Sequence, residues 1–93
     1  MDMGRKDNRL EGKVAIVTGA GSRADGIGNG RAASILLARN GARIVLVDMK
    51  TEWAERTREM IEAEGGEAIV VTADVTKPRD CARIVQAGVD RWG

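Results

Sequence analysis

The stretch Thr18-Gly19-Ala20-Gly21-Ser22-Arg23-Ala24-Asp25-Gly26-Ile27-Gly28-Asn29-Gly30 decides how the rest of the chain is read. It follows an apolar run, Val14-Ala15-Ile16-Val17, and precedes a helical pattern from Arg31 to Arg39. Five of its thirteen residues are glycine. A strand, a glycine-rich turn and a helix together present backbone N–H groups to a phosphate. A Cβ in such a turn would block the approach of a pyrophosphate, and the following helix points its positive dipole end at the anion. The plainer reading is a flexible turn between a strand and a helix. Glycines clustered so densely at one strand–helix junction weigh against it.

Residues on either side repeat the same unit. Met1 to Arg9 is charged and has no apolar core, so it reads as a flexible tail over residues 1–9 rather than a secretory signal. Leu10 to Lys13 leads into a first strand, Val14 to Thr18, apolar on both faces as at the buried centre of a parallel sheet. The first helix runs from about Ile27 or Gly30 to Asn40. Ala33, Leu36, Leu37 and Asn40 form its inner stripe, Ala32 and Ile35 widen it, and Asn40-Gly41 ends the helix. A second strand, Ala42 to Asp48, ends on an acid. A second helix, about Thr51 to Glu64, has Thr51 as a candidate N-cap and Trp53, Thr57, Met60, Ile61 and Glu64 on one face. After Gly65-Gly66 comes a third strand, Ala68 to Ala73, closing at Asp74-Val75. Thr76-Lys77-Pro78 then opens a third helix. That helix has one side of Asp80, Ile84, Ala87 and Arg91 and a more apolar one of Cys81, Val85, Gly88, Val89 and Trp92.

The pattern is βαβαβα over residues 10–93. It predicts an α/β chain, the N-terminal half of a Rossmann-type three-layer fold, with parallel strands in the order 3-2-1 and the first two helices on one face. The half is incomplete. A fourth strand would lie on the far side of the first, and the reversal there creates the crevice in which dinucleotides bind. Without it the first strand is an exposed apolar edge, which predicts marginal stability or self-association.

Composition narrows the function. Apolar residues are 43% and charged residues 31%, with a net charge of +1, so no electrostatic argument favours nucleic acid or a membrane surface. No apolar run approaches the roughly 20 residues of a membrane span. The chain has no histidine, the commonest general base and metal ligand, and no tyrosine to supply a phenolic proton. A lone Cys81 has no intrachain disulfide partner and no histidine to activate it, which fits a reducing, cytoplasmic compartment. The chain therefore supplies no catalytic residue and no metal site of its own.

Three features converge where the strands end. The glycine turn suits a pyrophosphate. Asp48 lies 48 − 28 = 20 residues after Gly28 and is followed by Met49. An acid at that distance accepts hydrogen bonds from the adenosine ribose and repels a 2′-phosphate, which favours NAD over NADP. Alternatively, Asp48 is an acid at the start of the next helix. Asp74-Val75 offers a carboxylate and an amide to an adenine edge, or else a helix-capping acid. Two glycine registers compete. Gly19-x-Gly21-x-x-Ala24 fits G-x-G-x-x-G/A but leaves Asp25-Gly26 where the helix should run, whereas a register ending Gly26-Ile27-Gly28 places the helix and Asp48 better. A Walker loop is excluded, because Ile27-Gly28 replaces the required Lys-Ser/Thr.

These residues resemble the short-chain dehydrogenases/reductases. Leu10-x-Gly12-Lys13-Val14-Ala15-Ile16-Val17-Thr18-Gly19 looks like their first strand, and Thr18-Gly19-Ala20-Gly21-Ser22 with Gly26-Ile27-Gly28 is similar to their T-G-x-x-x-G-x-G motif. Asp48 matches their cofactor-selecting acid and Asp74-Val75 their adenine-contacting pair. The resemblance implies hydride transfer between a nicotinamide and an alcohol or carbonyl substrate, and an oligomer of identical subunits for the complete enzyme. On it, the cofactor-binding residues are Gly19, Gly21, Ser22, Arg23, Gly26, Ile27, Gly28, Asp48, Met49, Asp74 and Val75. Two departures stand out. The motif has three residues between its first two glycines and this chain has six, Ala20 to Asp25, as though Arg23-Ala24-Asp25 were inserted. Arg23 or Lys50 near the ribose would soften the NAD preference; alternatively, Asp25 holds Arg23 away. The family's Asn-Asn-Ala-Gly motif, its serine and its Tyr-x-x-x-Lys pair would all lie beyond Gly93. The 93 residues alone are therefore expected to be inactive. The competing readings are a nucleotide-binding module without catalysis and an inactive fragment. Substrate specificity does not follow from these residues.

Overall fold

The computed structural model of the chain describes residues 9–22 and 26–93. The expected tail, Arg9 excepted, and the Arg23-Ala24-Asp25 insertion lie outside the described residues. The elements run β1 (Val14–Thr18), α1 (Asn29–Arg39), β2 (Arg43–Asp48), α2 (Thr51–Ala63), β3 (Ala68–Thr72) and α3 (Pro78–Trp92). The strands form a parallel sheet in the order β1-β2-β3, with Ile16 opposite Val45 and Val45 opposite Ile69. This is the expected βαβαβα half of a Rossmann-type fold.

β2 is the centre of the molecule, and its alternation divides the core. Ile44 and Leu46 face α1 and α2 and join Ala20, Ala54 and Ile61 in one buried cluster. Val45 and Val47 face the other way and join Val71, Ala73 and Ile84 beneath α3. All four β2 side chains are 1% exposed or less. A strand buried on both faces needs this unbroken apolar run, with β-branched residues that fit a pleated surface.

β1 is different. Ala15 and Val17 pack toward the first cluster, but Val14 and Ile16 remain 43% and 46% exposed. The sequence suggested a strand buried on both faces. Only one β1 face is covered, because α3 lies over β2, with Gly88 set against the Val45 side chain. Val85 and Val89 of α3 are also exposed. The buried stripe of α3 is Ile84 and Gly88, flanked by Ala87 and Trp92, so it takes residues from both sides expected for that helix.

Two further expectations are corrected. The expected inner face of α1 holds only in part: Ile35 and Leu37 pack beside the core together with Ala38, but the fully buried residues are Arg31 and Ser34, while Ala32 and Ala33 face outward. Ser34 is tolerated inside because its hydroxyl donates to the Gly30 carbonyl at 2.7 Å. Thr51 does not cap α2. Lys50 is the N-cap residue, and the Thr51 hydroxyl pairs with that of Thr72 at 2.6 Å, tying α2 to the end of β3. At the opposite end of the helices, Arg39 grips both Glu64 carboxylate oxygens at 2.8 and 2.7 Å. Both side chains are about a third exposed, so the pair orients α1 against α2 more than it stabilises them.

Truncating the two faces of the sheet should have unequal effects. Leu46→Ala should destabilise the fold by about 2–5 kcal/mol, the usual range for a buried leucine. Ile16→Ala, on the half-exposed face, should cost under about 1.5 kcal/mol. Urea unfolding of the two variants checks this.

Candidate functional site

Parallel pairing brings the carboxyl ends of all the strands to one edge, where β1, β2 and β3 release Gly19, Met49 and Ala73 respectively. Backbone bonds continue the sheet one step further. The Ala20 N–H donates to the Val47 carbonyl at 3.1 Å, and the Ala73 N–H to that of Asp48 at 3.4 Å. The turn after β1 therefore starts from a fixed position beside the end of β2.

Gly19 adopts a positive φ of 61°. Its carbonyl lies directly under Gly30, in the first turn of α1: a Cβ built on Gly30 would fall 1.9 Å from the Gly19 oxygen and 2.7 Å from its carbonyl carbon. Only glycine permits that approach. Gly28 is roomier, its nearest obstacle being the Ser22 hydroxyl at 3.3 Å, the movable end of a side chain. Gly28 is the N-cap of α1 and provides no side-chain cap, and the first turn carries no acid. No protein carboxylate from that turn or its cap offsets the positive end of α1, the arrangement an external anion requires.

Gly21 is pressed on α2. A Cβ there would meet Trp53 Cβ at 2.5 Å and the Ala54 nitrogen at 2.9 Å. Its N–H donates to Asp48 Oδ2 at 3.0 Å, and the Lys50 N–H donates to Oδ1 at 2.9 Å. The Asp48 carboxylate is thus held beside the glycine turn. Each oxygen accepts one of these bonds and retains a second lone pair for an incoming hydroxyl.

At the third strand end, Asp74 Oδ1 accepts from the Thr76 N–H at 2.9 Å and the Thr76 hydroxyl at 2.6 Å. The Thr76 hydroxyl, with help from the Thr76 amide, keeps the Asp74 carboxyl below the ordinary aspartate range. The Asp74 N–H in turn donates to Asp80 Oδ2 at 2.9 Å and holds the Asp80 carboxyl low as well. Asp74 therefore shapes its own turn and does not cap α3, whose N-cap residue is Lys77 with no side-chain cap bond. Ile27, Met49 and Val75 are 65%, 68% and 47% exposed, large apolar side chains on this edge.

The structure thus brings Gly19, Gly21, Ser22, Gly28, Asp48, Met49, Asp74 and Val75 to one edge of the sheet, with exposed Gly26 and Ile27 in the loop leading to α1. Arg23 lies outside the described residues. Sequence reasoning missed three residues. Gly30 was counted in the turn without a role. Thr57 was counted as one of a helix face, but its buried hydroxyl donates to the Ala20 carbonyl at 2.9 Å. Arg31, read as the start of a helix, is fully buried and bonded to the turn. The only sequence signal for it was a cation in the first turn of a helix, where the dipole disfavours one.

A sequence profile described as short chain dehydrogenase matches residues 13–93. The chain belongs to that family. An uncharacterized oxidoreductase of Listeria monocytogenes is 39% identical over 84 residues, covering 90% of this chain but 32% of the relative. A short-chain dehydrogenase/reductase homolog of Bacillus subtilis is 40% identical over 82 residues and covers 87% of this chain and 71% of itself. Among solved structures, a 7α-hydroxysteroid dehydrogenase in complex with NADH and 7-oxo glycochenodeoxycholic acid superposes with a TM-score of 0.83 at 30% identity, over 95% of this chain and 32% of that one. The chain thus spans about a third of the length of most such relatives, and corresponds to the N-terminal part of a short-chain dehydrogenase.

Substituting the two glycines of the α1 start should separate their roles. Gly30→Ala should cost about 3 kcal/mol or more, because the added methyl meets backbone rather than a movable side chain. Gly28→Ala, at the N-cap where glycine is preferred over alanine, should cost about 1 kcal/mol or less. Calorimetric melting of both variants is the check.

Proposed function

We propose that this chain is the dinucleotide-binding segment of an NAD(P)-dependent short-chain oxidoreductase, with NAD preferred. The observation that carries the reading is the Asp48 carboxylate, held by the Gly21 and Lys50 amides beside the uncapped start of α1. In this arrangement the amides at the start of α1 hold the pyrophosphate and Asp48 holds the adenosine ribose. We read Gly28-Asn29-Gly30, rather than Gly26-Ile27-Gly28, as the closing G-x-G of the family motif. Gly19 makes the tight turn, Gly28 leaves room for the phosphates, and Gly30 lets the helix pack on the strand. Asp48 then lies 48 − 30 = 18 residues after the last glycine. Met49 and Val75 are placed to flank an adenine, with Asp74 and the Val75 amide at its edge.

The bound nicotinamide supplies hydride transfer to or from an alcohol or carbonyl carbon. The residues of this chain bind and orient it, and the proton-transferring groups of the family belong to the segment that would follow Gly93. A free Cys81 suits a reducing, cytoplasmic setting. The complete enzyme is read as an assembly of identical subunits. One observation favours a second reading, a nucleotide-binding module without catalysis: this chain covers 71% of its Bacillus subtilis relative, so shorter members of the family occur.

Separate titrations of the full-length protein with NAD and NADP test the proposal. NAD should bind at least about tenfold more tightly, a difference of roughly 1.4 kcal/mol, and Asp48→Ala should erase most of that margin. Equal affinities in the unsubstituted protein would show that Lys50 or Arg23 outweighs Asp48. Failure to bind either dinucleotide would overturn the proposal.

A further inference from the structure

Arg31 occupies the third position of α1, near the positive end of the helix dipole, and it is fully buried. Both facts oppose a guanidinium, since a buried charge must recover its lost hydration through hydrogen bonds. Its bonds show what it does there. Nη1 donates to the Gly26 carbonyl at 2.6 Å and Nη2 to the Ser22 carbonyl at 3.0 Å, so one planar group grips the glycine turn on either side of residues 23–25. Nη2 also donates to the Trp53 carbonyl at 3.0 Å, and Nε to the Thr57 hydroxyl at 2.8 Å, both on α2. The Thr57 hydroxyl in turn donates a hydrogen bond to the Ala20 carbonyl at 2.9 Å.

We propose that Arg31 is a positioning residue for dinucleotide binding: its guanidinium clasps the long glycine turn to α2, so that the phosphate-facing amides and the Asp48 carboxylate are held as one unit. The proposal rests on the dinucleotide reading of the site. A turn closed by three intervening residues is set by its own short path. This chain has eight between Gly19 and Gly28; a longer path costs more entropy to close, and the Arg31 bonds to Ser22 and Gly26 offset that cost. The fastening reaches both halves of the site. Ser22 and Gly26 belong to the turn, and Trp53 and Thr57 belong to the helix that begins just after Asp48. Lysine cannot replace the guanidinium, because a single ammonium does not span a fork of carbonyls on opposite sides.

The test measures NAD dissociation constants of the full-length protein, with melting temperatures alongside. Arg31→Lys should weaken NAD binding roughly tenfold or more, the scale set by losing hydrogen bonds to a charged group. Thr57→Val, which removes the Nε acceptor and the bond to Ala20 at nearly constant volume, should weaken it in the same direction. The double variant should bind much as the weaker single does, because both act on one clasp. In Arg31→Ala, low-millimolar guanidinium chloride should restore part of the lost affinity, a response that general destabilisation does not produce. If Arg31→Ala does not fold, the Arg31→Lys and Thr57→Val arms decide. NAD binding within twofold of the unsubstituted protein in Arg31→Lys would overturn the proposal, as would additive losses in the double variant. If the unsubstituted protein binds no dinucleotide, it is the functional reading that fails, which keeps the two failures distinct.

Discussion

Gly30 rests on the carbonyl of Gly19 with no room for a methyl group between them. That contact sets where α1 begins relative to the end of β1. A helix start placed any further away would leave its free amides pointing past the strand ends rather than over them. Because β2 lies beside β1 in parallel, with Thr18 opposite Val47, the same contact places the α1 start next to Asp48. The position of the site is therefore a consequence of how closely one helix approaches one turn.

Around that contact the electrostatics are arranged with little waste. The amide of Gly21 reaches one oxygen of Asp48, and that of Lys50 reaches the other. The carboxylate is fixed without a cationic partner among those bonds, and under the proposed reading its charge is what favours ribose hydroxyls and opposes a further phosphate. The start of α1 has no acid in its first turn, and its cap residue is a glycine. Positive dipole and negative carboxylate stand close together, and a dinucleotide carries the complementary pair, an anionic bridge and a hydroxyl-bearing sugar. The exposed Val14 and Ile16 on the far face of β1 contrast with this edge, since they are apolar and carry no such polar pattern.

Much of this was legible in the residue order. β2 announced itself by an unbroken apolar run ending on Asp48, and the helix ends at Asn40-Gly41 and Gly65-Gly66 followed from glycine's tolerance of positive φ, which Gly41 and Gly65 adopt. The strand order followed from the handedness of βαβ crossovers. The inner face of α1 was legible only in part, because periodicity arguments look for apolar stripes and this helix also buries Arg31 and Ser34. The burial of Arg31 depends on carbonyls supplied by Ser22, Gly26 and Trp53, contacts that exist only once the chain has folded, while Ser34 is satisfied by the Gly30 carbonyl of its own helix. Thr51 misled for a similar reason: its hydroxyl had a tertiary partner in Thr72 that local capping rules do not include. The glycine register was ambiguous because the turn is glycine-rich throughout, so that both Gly19-x-Gly21-x-x-Ala24 and a register ending Gly26-Ile27-Gly28 could be written on it.

The most direct measurement of the central claim is a two-dimensional amide NMR titration of the protein with NAD. The account predicts that the largest shifts fall on Gly21, Ser22, Asn29, Gly30 and Met49, with Gly41, Gly65 and Gly66 at the opposite ends of the strands nearly unmoved. Shifts centred on those last three glycines, or an unresponsive Asn29 and Gly30 at saturating NAD, would contradict it.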